Sequence, residues 1–125
     1  MVMMLFVSLL LNVVVLIPIC AGLLRDAPWA VAVYGVRSPA RGILLSVYLS
    51  ILIVSAGLML AEIIQPAALT KAMSLALFVM QIVYKMTTPM TVGTLRNPVV
   101  VSNLLIAGVH LVTSVLLWGS LVSIT

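Results

Sequence analysis

Charge is what this chain has least of. Six Lys or Arg and two acids, Asp26 and Glu62, make 6% of its 125 residues. A water-facing domain carries roughly 25% charged residues, because its surface must be hydrated. So small a set cannot clothe a globule of this size, and the solvent for most of the surface must be lipid. A single cysteine, Cys20, cannot form an internal disulfide and says nothing about redox compartment. A single histidine, His110, cannot supply the two axial ligands of a b-type haem. No catalytic constellation, metal-ligand set or phosphate-binding loop is present, so the chain reads as non-enzymatic. The formal charge of +4 does not indicate a nucleic-acid partner, since the basic residues are scattered between apolar runs.

What is present is apolar. Hydrophobic residues make up 65% of the chain and the mean hydropathy is +1.41. Four apolar runs are separated by short polar punctuation, and each is long enough for a helix of about 20 residues to cross ~30 Å of hydrocarbon. Unpaired backbone groups are too costly in lipid for any open structure other than a helix. The fold class is therefore all-α, a four-helix membrane bundle of two antiparallel transmembrane hairpins in one domain. The predicted helices are 3–24, 42–62, 66–87 and 98–122, with cytoplasmic-side loops 25–41 and 88–97. Ser38-Pro39, Gln65-Pro66 and Asn97-Pro98 place a proline in a first helical turn, where its missing N–H costs nothing. The first segment has no basic residue ahead of it, and Ile19 is too large for a lipoprotein cleavage site before Cys20, so it reads as a retained helix.

Orientation follows from the basic residues. Arg25, Arg37 and Arg41 bracket the first loop and Lys85 and Arg96 the third, whereas the second has Lys71. This inside-positive bias puts both termini on the non-cytoplasmic side. Trp29 and Tyr34 suit the headgroup level, so the apolar 25–41 loop is expected to lie on the inner interface. Only 13 residues separate Lys71 from Lys85, about 20 Å of helix. Both lysines are expected to snorkel to opposite interfaces, with Tyr84 as a belt residue beside Lys85.

Polar side chains at membrane depth are the default functional candidates. His110 and Asn12 fall at similar depth in the fourth and first helices and are expected to hydrogen-bond. Gln81 and Asn103 form a second pair in the cytoplasmic half, with Ser46 and Ser50 near the same level. Glu62 and Lys71 flank the second turn and are expected to form a rim ion pair. The eight methionines, spread over different helices and depths, read as adaptable packing rather than a copper site.

Three functional expectations follow. With almost no extramembrane mass, the chain reads first as a non-catalytic accessory or assembly subunit. Its partners are then the lipid bilayer and other membrane subunits or copies of itself. The alternative is a small homo-oligomeric transporter or channel with a polar path near His110 and Asn12. A further alternative makes His110 the ligand of a pigment or haem. Compact loops and the charge bias suit a bacterial inner membrane.

Overall fold

The computed structural model describes residues 1–123. Their helices are α1 (Val2–Arg25), α2 (Pro28–Tyr34), α3 (Pro39–Ile64), α4 (Ala68–Val92) and α5 (Pro98–Val122). All but α2 are long and apolar enough to cross a membrane, which marks the chain as a membrane protein. Local chemistry sets the ends. The Ser38 hydroxyl accepts from the Arg41 N–H, and the Asn97 side chain accepts from the Val99 N–H, so α3 and α5 begin on side-chain caps followed by proline. Asp26 stops α1 in the left-handed region at φ 51°, and Gly93 stops α4 at φ 79°.

The main departures from the sequence expectation have local causes. α3 starts at Pro39, three residues before the apolar run, because its Ser38 cap rather than hydropathy sets its start. The 25–41 loop contains the seven-residue helix α2, which Pro28 opens and Gly35 closes. α4 starts at Ala68 rather than 66 and runs on to Val92, through Pro89. Pro89 has no N–H for the Lys85 carbonyl. Thr87 and Thr88 donate their hydroxyls to the Tyr84 carbonyl just upstream, keeping that turn bonded.

Buried positions on α3 and α4 recur mostly at spacings of three and four. α3 buries Arg41, Tyr48, Ile51, Ser55, Leu58 and Glu62. α4 buries Thr70, Ser74, Leu77, Gln81 and Lys85 along its own stripe. Such spacing keeps one seam of each helix facing its neighbours. α1 packs mainly on α3 and α4 mainly on α5, with lighter contact between these pairs. Neighbours run in opposite directions: Arg41 reaches Leu23 while Ser55 meets Asn12, and Lys85 meets Asn103 while Phe78 stacks on His110. The first and third connections share an end of the molecule, because Asn97 Nδ2 donates to the Val33 carbonyl at 3.1 Å. Lipid tails are as apolar as leucine, so packing and interhelical hydrogen bonds, more than hydrophobic burial, hold such helices together.

Candidate functional site: a polar column and an inner cavity

The core seams carry polar side chains along most of their length. At mid-depth, His110 Nε2 and Asn12 Oδ1 are 3.0 Å apart, and Asn12 Nδ2 donates to Ser55 Oγ at 2.9 Å. This chain joins α5, α1 and α3. The His110 ring is fully buried and stacks on Phe78, with centroids 4.7 Å apart and planes at 20°. One turn toward the α1 start, Ser8 and Thr113 hydroxyls share a 2.7 Å hydrogen bond. Ser114, Gln81 and Glu62 are also buried, and among the described residues their polar side-chain atoms find no hydrogen-bond partner.

Nearer the α2 end, Lys85 Nζ donates to Asn103 Oδ1 at 3.1 Å, and Asn103 Nδ2 donates to Thr88 Oγ1 at 3.3 Å. Lys85 is only 5% exposed, so it does not snorkel as expected. The reason is that α4 continues beyond it to Val92 and carries no interface to its level. Gln81 does not bond Asn103; Lys85 and Thr88 occupy the amide instead. At the opposite end, no ion pair joins Glu62 to Lys71 among the described residues. Glu62 turns into the bundle at 2% exposure, on the same seam as Ser55 and Leu58, and so cannot meet the rim lysine.

The connection from α1 to α3 is a charged knot. Arg41, expected at the interface, is buried. Its guanidinium donates to the Gly35 carbonyl at 2.7 Å, the Leu23 carbonyl at 2.9 Å and the Asp26 carboxylate. Two of these acceptors are carbonyls at or beside helix C-termini, which attract cations. Exposed Arg37 donates to Asp26 Oδ2 and to the Leu24 carbonyl, each at 3.0 Å. The hydrogen bond from Arg37, helped by Arg41, holds the Asp26 carboxyl below the usual carboxylate range. Trp29 is half-exposed and lays its ring over Gly22, where a Cβ would come 2.2 Å from Cζ2. Arg25 and Arg96 are exposed at this same end.

Between α2, α3, α4 and α5 at that end lies a cavity of about 530 Å³. Leu44, Val99, Val100, Tyr48 and Tyr84 supply apolar walls, while Thr87, Thr88 and Asn103 supply polar ones. Tyr34 and Tyr84 were expected as interface anchors, yet both line this cavity with their hydroxyls buried, that of Tyr34 beside Tyr48 and that of Tyr84 unpartnered among the described residues. Burial pushes the Tyr34 phenol well above its ordinary pKa. A gap of about 20 Å³, the space of one water, lies beside it and touches Lys85. Composition gives no direct signal for this cavity. The seven-residue repeat does signal the missed Ser55, which lies one repeat before Glu62 and one after Tyr48.

No group of three or more His, Cys, Asp or Glu that can hold a metal occurs among the described residues. Comparison of the chain with models of protein families, with curated proteins and with solved structures returns no match.

Proposed function

We propose that this membrane protein is a small transporter that passes a polar solute or ion along its interior together with protons. The observation supporting this reading is the polar column. Glu62, the Asn12–Ser55–His110 chain, Gln81 and the Lys85–Asn103 pair occupy seam positions that packing alone fills with leucine or alanine. Intramembrane ionisable residues are expensive and mark pathways by default. The cavity at one end gives the path a vestibule. In this scheme His110 and Asn12 form the midpoint, and Lys85 with Asn103 the inner constriction.

Proteoliposomes loaded with a pH-sensitive dye and given a potassium diffusion potential test this. The reading predicts proton-equivalent flux above that of empty liposomes, falling several-fold in His110→Ala. Flux equal to empty liposomes, or unchanged by the substitution at every pH, contradicts it.

Exposed Arg25, Arg37 and Arg96 favour the α2 end as cytoplasmic, with the turn through Gln65 and Ala67 on the other side. A bacterial inner membrane fits that bias. The short connections support a second reading, an accessory subunit of a larger membrane complex, because they leave little mass outside the lipid. Extraction into native nanodiscs separates the two: a subunit co-migrates with larger partners, whereas a transporter migrates alone or as copies of itself. A pigment on His110 is disfavoured, since Asn12 holds Nε2 and Phe78 covers the ring.

A further inference from the structure

We propose that the cavity between α2, α3, α4 and α5 is a binding site for a small amphipathic anion. Its acidic head would face the Lys85–Asn103 pair and its apolar body would lie against Leu44, Val99, Val100 and Tyr48. The proposal deepens the transport reading by naming the class of cargo.

Volume comes first. This cavity is a half-open cleft of about 530 Å³, within the roughly 300–1,000 Å³ range of small-molecule sites. Its lining is two-natured, as an amphiphile requires: aliphatic and aromatic walls on one hand, hydroxyls and an amide on the other.

Charge decides the sign of the ligand. An ammonium has three donors, and Lys85 makes one hydrogen bond, to a neutral amide oxygen. No carboxylate pairs with it among the described residues. Asp26 is already held by Arg37 and Arg41, and Glu62 is at the opposite end of its helix seam. A buried charge without a counter-ion is costly in a low-dielectric interior, and an incoming acidic group supplies that counter-ion. The gap of about 20 Å³ shares Tyr34, Tyr48, Val99 and Asn103 with the cavity and touches Lys85, so contact is direct or through one water. The buried hydroxyl of Tyr84 is a further donor without an acceptor among the described residues. The same end of the molecule carries Arg25, Arg37, Arg41 and Arg96 against one acid, Asp26, and this net positive field draws anions.

The test uses the full chain in nanodiscs of zwitterionic lipid, titrated with decanoate, decanol and decyltrimethylammonium and read by calorimetry. Decanoate is expected to bind at least about tenfold more tightly than decanol, and decyltrimethylammonium not to bind; a charge-assisted hydrogen bond accounts for a factor of that size. Lys85→Gln, which keeps a donor to Asn103, should bring decanoate down to the decanol level. Leu44→Trp, which fills the cavity, should remove both ligands. Replacing part of the lipid with phosphatidylglycerol distinguishes the sources: competition with decanoate assigns the site to a lipid headgroup, no competition to a free solute, and both agree with an anion site. Equal binding of decanoate and decanol, or decanoate binding indifferent to both substitutions, overturns the proposal. Binding is read without flux, so loss of one with retention of the other shows which of the two claims has failed.

Discussion

At the residue scale, Asn12 is the hinge of the interior. Among the described residues it is the one side chain that bonds two other transmembrane helices at once, through Ser55 on α3 and His110 on α5. Interhelical hydrogen bonds in lipid are worth roughly 0.6–2 kcal/mol each. Asn12→Ala removes two and strands His110 in the core, so it should lower stability by about 1–3 kcal/mol in a detergent unfolding titration. Ser55→Ala should cost less, and the double variant should cost less than the sum, since the two substitutions share one bond. Strict additivity would mean that the Asn12–Ser55 contact contributes nothing. The meeting of Asn12 and His110 was legible in the sequence, because depth follows from rise per residue and both lie mid-helix. The environment of Lys85 was not. Its burial depends on where α4 ends, and a lysine beside a tyrosine near an apolar boundary has the same local signature whether the helix stops or continues.

At the scale of elements, the informative piece is the connection from α1 to α3. Hydropathy marks residues 25–41 as an interfacial stretch, yet four hydrogen bonds centred on Arg41 and Asp26 tie it together. That convergence is tertiary, and the sequence gives only its ingredients. The Asp26 carboxyl is held below its ordinary range by Arg37 and Arg41. A lowered folded-state value means that the stabilisation is present above the unfolded value, about 3.9, and is lost as pH falls through the folded value. Hydrogen exchange of the 26–38 backbone should therefore accelerate on acidification below about pH 4, relative to the intrinsic rate. Asp26→Asn should show faster exchange at neutral pH and no such step. A step of the same size in the variant would assign the effect to another group. The long helices were easier to read than this connection. Ser38-Pro39 and Asn97-Pro98 are caps written locally, and the structure starts α3 and α5 on them. The third span was harder, because only 13 residues separate Lys71 from Lys85, while the threonines beside Pro89 bond the preceding turn and let α4 run on past Lys85.

For the whole molecule, every functional statement depends on one partition: apolar side chains meeting lipid, and a polar column shielded within the bundle. Val14, Ile53, Val79 and Leu111 project outward at mid-helix on the four long helices. Gly35 and Leu95 lie in the connections at one end, and Gln65 in the connection at the other. The most direct measurement is a set of nitroxide labels at these seven positions, one per variant, in liposomes after Cys20→Ser. The account predicts that the four mid-helix labels are relaxed by molecular oxygen and not by a water-soluble nickel chelate. It predicts the reverse for Gly35→Cys, Leu95→Cys and Gln65→Cys, with the first two quenched from one side of the membrane and the third from the other. Nickel access at mid-helix, or labels at 35 and 65 reached from the same side, would contradict the fold and every pathway drawn through it.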